Sequence, residues 1–121
     1  MFSEEVPVIQ IKRVYDSFEP QDGFRILVDR IWPRGLAKQK AQVDLWLREI
    51  APSTSLRKWF DHDPVKWIEF KKHYFLELEK NDTLIKLVKS KTTEGDVTLL
   101  YAAKDCTYNN AVALKEFLEN Q

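Results

Sequence analysis

The segment Phe24-Arg25-Ile26-Leu27-Val28-Asp29-Arg30-Ile31-Trp32-Pro33-Arg34-Gly35 constrains this chain more than any other. A short apolar run ends in an acid, two arginines, a tryptophan, a proline and a glycine. Phe24 to Asp29 is a strand candidate whose four consecutive apolar or long residues predict burial on both faces, as in a parallel sheet. Pro33 and Gly35 end regular structure. The segment therefore predicts a buried strand that opens into a charged, stiffened loop. Arg30 and Arg34 are planar, permanently charged forks suited to phosphate or carboxylate, so the loop is read as lining an anion site. The bland alternative is that both arginines pair with local acids such as Asp29 or Asp44 and merely hold the loop.

The rest of the chain supplies the partners of that strand. Val6 to Tyr15 is rich in β-branched residues and predicts a strand over 8–14. Val97 to Ala103 predicts a central buried strand after the Gly95-Asp96 turn. Between them lie helical signals. Ser53 is a good N-cap for a helix reaching Phe60, and Asp63-Pro64 gives a second N-cap with proline in the first turn. Trp67, Phe70, Tyr74, Phe75 and Leu78 then recur at amphipathic spacing. A helix over 82–90 follows, and another over 109–119 ends the chain, with Ala111, Leu114 and Phe117 inward. Leu36 to Gln42 is polar and is able to begin a helix. Val43 to Ile50 is ambiguous: its alternation fits a strand, but Trp46, Leu47 and Ile50 fit a helical stripe, and helix is preferred.

Strands separated by helices imply crossover connections. The expected fold is α/β, with a small, mainly parallel sheet flanked by helices in a three-layer α/β/α arrangement. The length of 121 residues fits one domain, residues 1–121, with residues 1–5 expected to form a disordered tail. Ligands of parallel sheets bind outside the carboxyl ends of the strands. The loop from Asp29 to Arg34 and the loop from Lys104 to Asn109 both follow strands. Parallel pairing would set them at one edge.

The candidate ligand-binding residues are Arg30, Trp32, Arg34, Arg57, Lys104 and Asn109. Asp29, Ser53 and Asp105 are assigned orienting roles. Trp32 is placed either to stack on a base or sugar ring or to lid the core. Asp29, near several cations, is expected to have a lowered pKa and to orient rather than act as a base. Ser53, Asp105 and Asn109 are also plain capping residues. Cys106 precedes a helix, where a thiolate is favoured, but an inert cysteine is preferred. His62 reads as a turn residue, His73 as helix surface, and Tyr74 and Tyr101 as core.

The exclusions narrow the function. The formal net charge is zero, so no whole-molecule field draws in nucleic acid or an anionic membrane. The one cysteine and two histidines have no zinc spacing, so no metal or other cofactor is expected. The sequence lacks a Walker A motif, a dinucleotide glycine fingerprint, HExxH and GxSxG. The acidic start Met1-Phe2-Ser3-Glu4-Glu5 does not read as a signal peptide. No apolar run is long enough to span a membrane. A cytoplasmic protein is expected.

The blocks Gly23–Leu36 with Lys38, Ala51-Pro52-Ser53 with Leu56, Arg57, Trp59 and Phe60, and Thr98–Asp105 with Asn109 and Ala111 resemble the domain-of-unknown-function 488 family, in its short YeaO-like branch. The resemblance runs from about Ile11 to Leu118. It implies a prokaryotic α/β protein of three-layer type and includes a strand within Val43–Ile50. Longer relatives carry Cys-His-Arg at the mouth of the last helix. The corresponding residues here are Tyr108, Asn109 and Asn110, which removes a borrowed nucleophile and base. Three functions follow from the sequence: a binder or enzyme for a small phosphorylated or nucleotide-like ligand, a nucleic-acid-binding module, and an interaction scaffold without a small ligand. The first is preferred, and no residue is assigned a catalytic role.

Overall fold

The computed structural model describes residues 8–120. The expectation for residues 1–5 lies outside the described residues. The strands are β1 (Ile9–Arg13), β2 (Phe24–Leu27), β3 (Leu45–Trp46) and β4 (Val97–Tyr101). They form one sheet in the order β1-β4-β2-β3, with every neighbouring pair parallel. β4 is central: Leu99 stands opposite Ile11 on one side and Ile26 on the other. All five of its residues are buried, as its apolar run predicts.

The helices are α1 (Lys38–Ala41), α2 (Thr54–Phe60), α3 (Trp67–Glu79), α4 (Asp82–Thr92) and α5 (Asn110–Glu119). One face of the sheet, presenting Ile26, Val97 and Leu99, packs under α2 to α5 in the main core. Phe60, Phe70 and Tyr74 pack there as tilted rings in sequence, and the Tyr74 hydroxyl donates to the Ile50 carbonyl at 2.7 Å.

The other face has a thinner cover. Its apolar half, Val14, Leu27 and Leu100, lies under Trp32, Leu36, Ala41 and Val43. Its other half is polar. Arg25 and Thr98 stand opposite each other in the register and are both buried. The connection from β1 to β2 crosses them, with a single 3₁₀ turn at Pro20–Asp22. The Thr98 hydroxyl donates to the Asp22 carbonyl, which ties that connection to the sheet. The fold is the expected α/β sandwich, with layers of unequal depth.

Val43–Ile50 is not a helix. Leu45 and Trp46 pair with Ile26 and Leu27 as an edge strand, and Arg48–Ile50 is a 3₁₀ turn. Pairing to β2 and the cation–π contact of Arg48 on Trp46 at 4.8 Å override the weak helical stripe. Other boundaries fall within two residues of expectation, except that the residues from Pro64 form a 3₁₀ turn and α3 itself starts at Trp67. Ser53 caps α2 through the Leu56 amide, Asp63 caps the 3₁₀ turn before α3, and Asn109 caps α5 through the Val112 amide.

Candidate functional site

A cleft of about 540 Å³ opens where β2 and β4 end. Three segments wall it: the loop 29–34, the start and end of α2, and the stretch 102–110 from the end of β4 into α5. The parallel register of β2 and β4 sets the first and third walls side by side. This is the strand edge at which open parallel sheets bind ligands.

The floor is fixed by hydrogen bonds. Asp29 accepts from the Ala102 amide at 2.8 Å and from the Asn110 carboxamide at 3.0 Å. The Asn110 nitrogen also donates to the Val28 carbonyl at 2.9 Å. From β1, Arg13 donates to the carbonyls of Ala102 and Ala103. The end of β4 is thus clamped from both neighbouring strands. The Tyr15 hydroxyl holds the Arg34 carbonyl, and the Trp46 indole donates to the Asp29 carbonyl. The floor is built before any ligand arrives.

Asp29 differs from expectation electrostatically. Burial pushes its carboxyl above the usual range, and the bonds from Asn110 and Ala102 and the nearby Arg57 charge offset this only in part. The sequence shows the cations but not the burial, so it predicts the wrong sign.

The arginines divide by what they touch. Arg30 donates to the carbonyls of Ala51 and Pro52 and reaches Glu49 at 3.5 Å, so it ties the loop to the segment before α2. Arg34 and Arg57 also line the cleft, are exposed, and their guanidinium groups have no ion pair or hydrogen bond among the described residues. Lys58 lines the cleft beside Arg57, and the carboxylates there are Asp29 and Asp61. Four cations against two carboxylates give the cleft a positive balance.

The remaining candidates separate. Trp32 lines the cleft, but its indole N–H donates to the Leu36 carbonyl and its ring packs edge-on against Trp46 at 5.4 Å. Asn109 lines the cleft but is buried, with its oxygen on Val112 and its nitrogen on the Asp105 carbonyl. Ser53, Lys104 and Asp105 lie outside the lining. The Ser53 hydroxyl donates to Glu77 at 2.6 Å, and Asp105 accepts from the amides of Thr107 and Tyr108, which hold its carboxyl below the usual range. Cys106 is exposed and outside the lining.

Asn110, which the family resemblance leaves as a hydrogen-bonding group but which is not among the candidate ligand residues, also lines the cleft. Sequence reasoning missed Lys58 and His62 as lining residues. Asp61 and His62 both have left-handed backbone conformations, at φ 46° and 55°, at the end of α2. The turn is readable in the sequence, but that it brings His62 into the cleft lining is not.

Among the described residues, no group of three His, Cys, Asp or Glu is placed to hold a metal ion, and no helix is long and apolar enough to cross a membrane.

Fold and cleft define a small, all-parallel α/β protein with a cationic pocket at its strand ends. The comparison with known proteins is specific. Residues 8–121 match the family model described as the inactive DUF488-N3 subclade, and the chain belongs to that family. It is 44% identical over 112 residues to the uncharacterised protein YeaO of Escherichia coli (strain K12), covering 93% of this chain and 97% of YeaO. It is 36% identical over 113 residues to the uncharacterised proteins Rv3073c of Mycobacterium tuberculosis (strain H37Rv) and Mb3100c of Mycobacterium bovis, covering 93% of this chain and 95% of each. No solved structure matches the chain.

Proposed function

We propose that the cleft binds a small anion, best matched by a phosphoryl group, and that it does so without catalysis. One observation carries this reading. Of the six arginines, Arg13, Arg25, Arg30 and Arg48 are engaged by carbonyls, carboxylates or rings. The two whose guanidinium groups have neither ion pair nor hydrogen bond, Arg34 and Arg57, both line the same concavity. Free guanidinium forks are the donors that bind phosphate bidentately.

The absence of turnover is argued from the lining. Tyr108 stands where the family resemblance sets a cysteine, Asn109 where it sets a histidine, and Cys106 lies outside the cleft. Asp29 is held by the Ala102 amide and Asn110. The description of the matched family as an inactive subclade agrees with this reading. A nucleic-acid module is less well supported, because the Trp32 ring is committed to Trp46 and the site is a pocket rather than a basic surface. The exposed thiol of Cys106 suits a reducing, cytoplasmic setting.

The test is a thermal-shift panel of inorganic phosphate, sugar phosphates and nucleotides on the wild type and Arg57→Ala. Arg57 is chosen over Arg30 because removing Arg30 also frees the Ala51 and Pro52 carbonyls. At least one phosphate compound should raise the wild-type Tm and leave the variant unmoved. No shift with any of them, or equal shifts in both proteins, would contradict the proposal.

A further inference from the structure

The floor of the cleft has a chemistry opposite to its rim. The carboxylate of Asp29 receives one hydrogen bond on each oxygen, from Asn110 and from the Ala102 amide. An ionised carboxylate has about four lone-pair sites, so two remain for a ligand. The Asn110 carboxamide is oriented by its neighbours: both the Val28 carbonyl and Asp29 accept, so the nitrogen must face them. Its Oδ1 accepts no hydrogen bond among the described residues, and no polar side-chain atom among them is both buried and unsatisfied. That oxygen is therefore accessible in the cleft that Asn110 lines.

The floor thus offers acceptors, while the rim offers the donors of Arg34, Arg57 and Lys58. Phe60 and Tyr108 add aromatic surface to the same lining. A bare phosphate ion is anionic on every side and would meet the Asp29 carboxylate unfavourably. The volume of about 540 Å³ falls within the ~300–1,000 Å³ typical of organic-ligand pockets.

We propose that the ligand is a phosphoryl group carried on a donor-bearing ring. The phosphoryl lies at the arginine rim, and hydroxyl or amino hydrogens of the ring donate to Asp29 and to the Oδ1 of Asn110. The ring packs on the aromatic surface. This rests on the anion-binding reading above and adds polarity and class to it: a sugar phosphate or a nucleoside monophosphate rather than a simple phosphate.

Calorimetric titration of the wild type with methyl phosphate, ribose 5-phosphate and adenosine 5′-monophosphate tests it. Methyl phosphate has the charge and lacks the donors. At least one ring phosphate should bind about tenfold tighter than methyl phosphate, the gain expected for hydrogen bonds to a charged acceptor. A gain shared by both ring ligands assigns the donors to the sugar, and a gain with the nucleotide alone assigns them to the base. Asp29→Asn should reduce the ratio between ring phosphate and methyl phosphate. The wild-type comparison stands even if that variant folds poorly. Methyl phosphate binding as tightly as both ring ligands would overturn this inference while leaving the anion site intact. Binding of none of the three would overturn both.

Discussion

Arg25 is only 1% exposed, and its donors have partners in the interior. It reaches Asp22 at 2.6 Å, the Gln42 carbonyl at 2.9 Å and the Ala41 carbonyl at 2.8 Å. Lys12 completes the group by binding Asp22 and Glu19. Removing one partner of such a buried pair typically costs about 3–5 kcal/mol, since the other stays in the interior. Arg25→Met should therefore lower urea-denaturation stability by about 3 kcal/mol, with Lys12 limiting the loss. A change below about 1 kcal/mol would mean that Asp22 is hydrated.

The two interior acids of the second layer and the cleft respond oppositely to pH. At Asp22, burial alone would raise the carboxyl, but the bonds from Lys12, the Glu19 amide and Arg25 outweigh it and hold the group below the usual 3.8. The native state then binds fewer protons than the unfolded chain. Its contribution is complete above pH 3.8 and is lost as pH falls through the lowered native value. At Asp29 burial wins, so the native state holds its proton more tightly, and ionisation weakens the fold as pH rises from 3.8 through the raised value. In Tm measurements across the acid range, Asp22→Asn should flatten the acid loss and Asp29→Asn should deepen it. The reverse pattern would contradict the assignments.

Residues of this kind were the least legible in the sequence. Alternation along β2 sets Arg25 on one face but does not reveal which loop will cover that face. Asn109 and Asn110 are indistinguishable by type, yet the first spends its side chain on capping α5 and the second on holding Asp29.

Elements were more legible where local chemistry alone decides them. The caps at Ser53 and Asp63 are visible because a side-chain oxygen satisfies amides close by in sequence. Ser53 does more than cap: its amide and hydroxyl both bind Glu77, which anchors α2 to α3. Arg57 rides on that short helix. Ser53→Ala should cost about 1 kcal/mol from the cap alone. Because the Glu77 contacts also weaken, ligand affinity should fall with it, as calorimetry would show. Gly23 ends the 3₁₀ turn at φ +67°, and a Cβ there would lie 2.2 Å from the Asp96 carbonyl oxygen. Gly23→Ala should destabilise by more than ~1 kcal/mol in urea, since the backbone conformation and the contact both oppose it. Val43–Ile50 was misread because its decisive interaction, pairing with β2, is long in sequence and absent from its own pattern.

At the scale of the molecule, the α/β class was readable from strands alternating with helical segments. The site's edge followed from parallel pairing alone. Unequal layers did not follow, because the second layer is mostly loops and a four-residue helix, without the periodicity of a packed face. Lys104 was proposed from its place after β4 but lies outside the cleft, while Lys58 lines it. The rim cations are exposed, so ligand binding should weaken as salt rises past the ~0.1 M range, where the screening length is about 10 Å. An affinity indifferent to salt would indicate recognition by the floor and wall rather than the rim.

Arg34 and Arg57, whose guanidinium groups have no ion pair or hydrogen bond among the described residues, are the ligand groups of the proposed site. Titration of ribose 5-phosphate at low salt into the wild type and into Arg57→Ala tests it most directly. Binding by the wild type should be saturable, and affinity at least about tenfold weaker in the variant, the loss of one charge-assisted contact. The variant's ligand-free Tm should change little, because the Arg57 side chain makes no ion pair or hydrogen bond among the described residues. Equal affinities, or no binding by the wild type, would contradict it.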